Sequence, residues 1–164
     1  MTTMKNILGF AVALLMLFGM TSCFEDIDKT YDEKTVVEFQ TAITSTPAVG
    51  RTYPLISAGN STTAVTLNQR INLVGPQRTS DETIKVSVDK ENSTAVEGTH
   101  FTLTNGGNVV IPANSSFGTV TVTVPRGTAA ASVPAVNLVL MIEGNGKDIL
   151  PSENYKRIGF TIRP

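Results

Sequence analysis

Residue types that metal binding and catalysis often require are scarce in this chain of 164 residues. It contains one cysteine, one histidine and no tryptophan. A disulfide framework needs paired cysteines, a Cys/His zinc site needs several ligands, and a catalytic triad needs a histidine with two partners. The composition therefore excludes the first two from this chain alone and leaves few routes to the third.

Charge is also sparse and nearly balanced. Charged residues make up 16% of the chain, with 13 Lys and Arg against 14 Asp and Glu. A protein that binds a nucleic-acid backbone needs an excess of positive charge. We therefore expect no nucleic-acid partner, and the length suits a single folded domain.

The N-terminus has the layout of a secretory signal peptide. Lys5 precedes an uncharged, largely apolar run from residue 7 to residue 20, and small residues follow it. This run of 14 residues is shorter than the roughly 18 needed to cross a bilayer as a helix. We therefore predict a cleaved signal peptide over residues 1–22 rather than a retained membrane anchor.

The single cysteine follows this segment directly. Residues 17–23 (LFGMTSC) resemble the lipobox of bacterial lipoproteins. The resemblance implies that Cys23 is acylated and becomes the new N-terminus, with Thr21 and Ser22 as the small residues of the recognition signal. Its acyl chains would hold the protein on a membrane, since each buried methylene contributes about 0.8 kcal/mol.

Residues 23–34 continue as a polar segment with five carboxylates among residues 24–34, which predicts an extended, solvated tether. Its acidic cluster also resembles the export signal that places lipoproteins of Bacteroidetes-type bacteria on the outer face of the outer membrane. The expected location is thus the outer membrane, at the cell surface. The alternative interpretation is an ordinary polar linker.

The rest of the chain, residues 35–164, alternates apolar and polar residues with the period of β-strands and lacks amphipathic helical spacing. Residues 117–124 (FGTVTVTV) show this best, and turn residues separate the apolar runs. The pattern predicts an all-β domain, an immunoglobulin-like antiparallel β-sandwich of about seven strands. Residues 51–63 are interpreted as a long connection or an irregular edge strand.

One predicted strand is apolar on both faces. Val139 and Met141 lie opposite the core row of residues 136–142. Either a neighbouring loop covers this second face or the strand offers a surface for a partner.

Two motifs carry a resemblance to a known family. Residues 94–101 (TAVEGTHF) and 107–114 (GNVVIPAN), followed by the valine-rich strand, resemble the Calx-β domain pattern. Together with the lipobox they also resemble short Bacteroidetes-type lipoproteins with one sandwich domain, which often accompany glycan-uptake systems. This resemblance implies a non-catalytic binding or accessory module whose partner is an outer-membrane transporter or a glycan-binding lipoprotein.

Calx-β domains bind calcium through loop carboxylates, and this sequence departs from that pattern. Arg126 stands where an acidic ligand is expected, and His100 replaces the aspartate before the aromatic residue. Calcium requires about six to eight oxygen ligands, so no metal site is expected. The weak calcium candidates are Asp89, Glu91 and Glu97.

We expect no enzymatic activity and no cofactor. His100 is the single histidine of the chain, so it cannot form a catalytic pair with another histidine. It is therefore interpreted as a structural or surface residue. Glycoside hydrolysis needs two acids roughly 5 to 10 Å apart across a cleft. The carboxylate candidates are Glu38, Asp81, Glu82, Glu97, Glu143, Asp148 and Glu153, all on expected strand faces or turns.

Sugar binding without catalysis is compatible with the sequence. In the absence of tryptophan, Tyr53 and Tyr155 are the candidate ligand contacts. Two alternatives are a structural subunit of a surface assembly and a calcium-dependent adhesion module. The first would exchange strands through an unpaired edge, for which residues 157–163 or 36–40 are the candidates.

Overall fold

The computed structural model describes residues 34–58, 63–126 and 134–163. The predicted signal peptide at residues 1–22, the recognition residues Thr21 and Ser22, the lipidation site Cys23 and the tether up to residue 33 lie outside the described residues. Within the described ranges, no helix has the length and apolar character needed to cross a bilayer.

Strands account for about half of the described residues. In order they are β1 (Thr35–Phe39), the short helix α1 (Gln40–Thr44), β2 (Leu55–Ser57), β3 (Val65–Val74), β4 (Glu82–Val88), β5 (Thr102–Leu103), a 3-10 turn (Thr104–Gly107), β6 (Asn108–Ile111), β7 (Phe117–Val124), β8 (Val136–Gly144), β9 (Ile149–Pro151) and β10 (Arg157–Ile162). Seven of the ten strands in the described ranges have at least four residues. The predicted all-β fold is confirmed.

Two five-stranded sheets form the sandwich. Sheet 1 has the order β5-β7-β3-β1-β9 and sheet 2 the order β2-β10-β8-β4-β6. The alternating apolar residues of the longer strands face each other between the sheets. Residues at the centre of this core are fully buried, among them Phe39, Phe160 and Ile142, and each such side chain stabilises the fold by about 1.5–3 kcal/mol.

Two edge strands differ from the antiparallel arrangement that the sequence predicts. β9 pairs with β1 in parallel, and β2 pairs with β10 in parallel. Both parallel pairs occur where the chain passes from one sheet to the other. β1 lies in sheet 1 and the next strand, β2, lies in sheet 2. β9 lies in sheet 1, although β8 before it and β10 after it in the sequence lie in sheet 2. Strands of three residues are too short to show a period, so the sequence does not reveal them.

The edges expected to be open for strand exchange are interior strands. β1 is bonded to β3 and β9, and β10 is bonded to β8 and β2. The expectation that residues 157–163 or 36–40 form an unpaired edge is therefore wrong. The described strands at the sheet edges, β2, β5, β6 and β9, have two to four residues each, and short edges limit pairing with other chains.

The outer face of β8 is covered by a neighbouring segment. Val139 is fully buried and lies opposite Gly159 of β10. A side chain at Gly159 would meet the Tyr53 ring at 3.2 Å, so Tyr53, in the segment before β2, lies on this face. Of the two interpretations of the two-sided apolar strand, the covering loop is confirmed for Val139.

Candidate functional site

A tight turn before β2 prepares the site. The Arg51 amide donates to the Ala48 carbonyl at 2.9 Å, and the Ala48 amide donates to the Tyr53 carbonyl at 3.0 Å. Gly50 has a φ of +72°, which a glycine adopts at the third position of a turn without steric cost. The turn leads into Tyr53, whose buried ring packs against the outer face of sheet 2 at Gly159.

Beside this turn lies a polar cleft of about 610 Å³. It is lined by the turn, by the loop after β4 and by the start of β10, through residues Val49, Gly50, Arg51, Thr52, Tyr53, Asn92 and Arg157. We call it the arginine cleft. Its volume is within the range of about 300–1,000 Å³ that is typical of small-ligand sites.

One wall of the arginine cleft is formed by Arg157 and Asn92, which are both bound to the buried Asp89. The Arg157 Nε donates to the Asp89 Oδ2 at 2.9 Å, and the Asn92 Nδ2 donates to the same oxygen at 3.0 Å. Asp89 is only 7% exposed. Burial acts to raise the pKa of Asp89, but the hydrogen bonds from Asn92 and Arg157, together with the Arg157 charge, outweigh it and hold this pKa below its usual value.

The other wall is formed by Arg51 and Tyr53, whose side chains contact each other. The Arg51 Nη1 donates to the Tyr53 hydroxyl, and the Arg51 guanidinium carbon lies 5.5 Å from the centre of the Tyr53 ring. A guanidinium at this distance from an aromatic ring is attracted by its electrons. The hydrogen bond and the ring contact with Tyr53 therefore restrict the orientation of the Arg51 side chain.

The two tyrosines predicted as ligand contacts occupy different places. Tyr53 lines the arginine cleft, but it is only 4% exposed, so its ring packs against sheet 2 and offers little surface for a sugar to stack on. Tyr155 is 38% exposed and does not line the cleft. Its carbonyl accepts a hydrogen bond from the Phe39 amide at 3.0 Å.

The three calcium candidates have different environments. Asp89 is bound by Arg157 and Asn92, whereas Glu91 and Glu97 are exposed. Across residues 34–58, 63–126 and 134–163, no three histidine, cysteine or acidic side chains are grouped as metal ligands would be. A cation at Asp89 would have to replace a guanidinium that already neutralises this carboxylate.

His100 and most of the candidate catalytic acids have structural contacts. The His100 Nδ1 accepts from the Val96 amide at 2.8 Å and so closes the loop before β5. Asp81 accepts a hydrogen bond from the Ala113 amide, and Glu82 and Asp148 accept hydrogen bonds from the Asn145 side chain. Asp148 also forms an ion pair with Arg78, and Glu153 forms one with Lys156. Glu143 lines a second cleft of about 390 Å³, and Glu38 lies on β1 of sheet 1.

Sequence reasoning did not find Arg51, Asn92 and Arg157 as site residues. They lie in three distant parts of the chain, and none belongs to a motif that predicts ligand binding. The signal that could have indicated them is the two-sided apolar strand β8, because a segment that covers such a face must approach the loops at its margin. Residues 51–63 were the nearest candidate for that segment.

The fold is an immunoglobulin-like β-sandwich similar to that of Calx-β domains. The Calx CBD1 domain in its apo form superposes with a TM-score of 0.51 at 10% identity, over 78% of this chain and 96% of that one. The chain belongs to a family described as a domain of unknown function (DUF4843), which matches residues 51–163. No curated protein sequence matches significantly.

Two Bacteroides structures have the same fold over part of their length. A Bacteroides ovatus protein proposed to bind carbohydrate matches with a TM-score of 0.51 at 10% identity, over 78% of this chain and 37% of that one. A two-domain Bacteroides fragilis protein of unknown function matches with a TM-score of 0.52 at 11% identity, over 84% and 49% of the respective chains. This chain thus spans less than half of either protein, and at these identities the likeness concerns the fold alone.

Proposed function

We propose that this protein is a surface lipoprotein whose sandwich domain binds a saccharide in the arginine cleft and serves a glycan-uptake system without catalysis. The observation that supports it most is the cleft itself. It has the volume of a small-ligand site and a lining rich in hydrogen-bonding groups. The fold similarity to a protein proposed to bind carbohydrate is compatible with this role.

The groups of the cleft suit sugar hydroxyls. Each hydroxyl both donates and accepts, and the cleft offers guanidinium donors from Arg51 and Arg157 and an amide from Asn92. These side chains come from a turn, a loop and a strand that are bonded to one another or to the sheet. A preformed polar cleft binds a ligand at a lower entropic cost than one that must become ordered.

The same geometry supports a binding role rather than hydrolysis. Hydrolysis of a glycosidic bond generally uses two carboxyl groups on opposite sides of the bond. None of the described residues that line the cleft is acidic. The carboxylate bound to the lining residue Arg157 is Asp89, and its ion pair and hydrogen bonds hold the pKa of Asp89 below its usual value. A carboxyl group with a lowered pKa is a poor proton donor, and the described lining offers no pair of acids that could flank a glycosidic bond.

Binding is tested with the native protein, purified in detergent, on an array of neutral and acidic oligosaccharides. We expect saturable binding to at least one saccharide, weakened by Arg51→Ala. The matched control is Arg70→Ala, because Arg70 belongs to sheet 1 and lies over the Phe117 ring at 4.0 Å. An array without any specific binding, or equal losses in both variants, would contradict a saccharide site in this cleft.

Anchoring and location require separate measurements. We expect a palmitate analogue fed to cells to label the wild type but not Cys23→Ser, and we expect protease added to intact cells to remove the domain. Labelling that persists in Cys23→Ser would refute the lipidation site. Resistance to protease on intact cells, with digestion after lysis, would place the domain inside the envelope.

The proposed partner is an outer-membrane transporter or a glycan-binding lipoprotein. Chemical crosslinking on intact cells, followed by purification and mass spectrometry, should recover such a protein together with this one. Recovery of only further copies of this chain would favour the structural-subunit alternative.

A further inference from the structure

The arginine cleft contains an uncompensated positive charge. Of its lining residues two are arginines and none is acidic. Asp89 compensates Arg157 through their ion pair. Among the described residues, no carboxylate lies within ion-pair distance of Arg51, since the described pairs join Arg78 to Asp148, Lys156 to Glu153 and Arg157 to Asp89.

Both guanidinium groups retain free donors. A guanidinium carries five N–H groups. The Arg51 side chain donates a hydrogen bond from Nη1 to the Tyr53 hydroxyl, and the Arg157 side chain donates one from Nε to Asp89. Their remaining N–H groups have no acceptor among the residues that the structure describes. They are therefore available to a ligand in the cleft, and the fork that they form matches an oxyanion.

The two arginines are also held in place before any ligand arrives. Tyr53 is almost completely buried and fixes Arg51 by a hydrogen bond and a ring contact. Asp89, which is equally inaccessible, fixes Arg157. A long side chain that is already ordered loses less conformational entropy on binding than a free surface arginine.

We infer that the ligand of the arginine cleft is an acidic saccharide, a sugar whose carboxylate or sulfate accepts hydrogen bonds from Arg51. Hydroxyl groups next to this oxyanion contact Asn92 and the free Nη groups of Arg157. The inference rests on the proposed function, because it names the class of saccharide that the same site takes.

The test compares saccharides that differ only in charge. The native protein in detergent is titrated by calorimetry with galacturonic acid trisaccharide and with the same trisaccharide after reduction of its carboxyl groups to galactose. A chondroitin sulfate oligosaccharide and its desulfated form make the second pair. We expect the acidic member of at least one pair to bind at least about 10-fold more tightly, equivalent to about 1.4 kcal/mol. The pair that shows the difference identifies the oxyanion.

Variants assign this difference to the cleft. Arg51→Gln should remove the preference for the acidic member, Arg51→Lys should retain part of it, and Arg70→Gln should leave it unchanged. Circular dichroism verifies that each variant is folded. If Arg51→Gln fails to fold, the wild-type comparison of charged and neutral sugars still decides the question. Raising the salt concentration should weaken binding of the acidic sugar more than that of a neutral one.

The outcomes separate the inference from the function on which it rests. Tight binding of the neutral member, equal to that of the acidic one and sensitive to Arg51→Ala, would overturn the acidic specificity and keep a saccharide site. A preference that survives Arg51→Gln would overturn the assignment to Arg51. Absence of binding by every saccharide would overturn the proposed function itself.

Discussion

Two neighbouring glycines after β5 offer a direct test of how closely β4 packs against the 3-10 turn. Gly106 and Gly107 both have positive φ, at +58° and +82°. A Cβ at Gly106 would meet nothing within 4 Å, whereas one at Gly107 would lie 2.1 Å from the Val86 carbonyl oxygen and 2.7 Å from Leu103 Cδ2. The substitutions Gly106→Ala and Gly107→Ala therefore impose similar backbone strain but very different contacts.

The expected magnitudes follow from these contacts. A non-glycine residue at positive φ costs about 1–2 kcal/mol, and this is the whole effect for Gly106→Ala. Overpacking a well-filled interior adds about 1–3 kcal/mol. Val86 belongs to a strand bonded on both sides, so its carbonyl cannot move away without disturbing sheet 2. Gly107→Ala should therefore lower the free energy of unfolding by about 2–5 kcal/mol.

Urea unfolding followed by far-ultraviolet circular dichroism measures both variants. We expect equal m values and a clearly lower midpoint for Gly107→Ala. Equal losses of stability in the two variants, within about 0.5 kcal/mol, would refute the close approach of Gly107 to β4.

Three further predictions concern the free energy of unfolding measured in urea. Asp89→Ala should lower it by about 1–3 kcal/mol at pH 7, because it removes two hydrogen bonds from a charged group. Since the pKa of Asp89 is depressed in the fold, this difference should be complete above about pH 3.9 and disappear as the pH falls through the folded-state value. A difference that persists in strong acid would contradict the ion pair. Burial raises the pKa of Glu38, so its ionised form destabilises the fold, and Glu38→Gln should be more stable than wild type at pH 7 but not at a pH where Glu38 is protonated. Tyr53→Phe should cost about 0.5–1.5 kcal/mol through the lost bond to Arg51, and an unchanged stability would show that Tyr53 holds Arg51 by its ring alone.

The sandwich could be predicted because its core strands are regular and long. Val120, Val122 and Val124 alternate with threonines and are all buried. A strand with one buried face shows this period whatever its neighbours are. The pairing partners are not encoded in that period, so the parallel edge strands β2 and β9 and the interior positions of β1 and β10 could not be derived from it.

The candidate site was harder to predict because it depends on tertiary contacts. As an aromatic residue, Tyr53 is a candidate for stacking on a sugar, yet in the structure its ring is buried and its hydroxyl binds Arg51 instead. As an acidic loop residue, Asp89 is a candidate for calcium binding, yet in the structure it pairs with Arg157. In both cases the role of the residue depends on its hydrogen-bond partner in the fold. The partner of Tyr53 is Arg51, 2 positions away, and the partner of Asp89 is Arg157, 68 positions away.

The interior position of β1 has a mechanical consequence. β1 is the first strand of the described sandwich, and it is bonded along one side to β3 and along the other to β9. A pull on Thr35 directed along the axis of β1 would load both sets of hydrogen bonds at once in shear. An edge strand peeled from a sheet would lose its bonds one at a time and yield to a smaller force. The domain should therefore resist a pull along β1 more strongly than it would if its first described strand lay at a sheet edge.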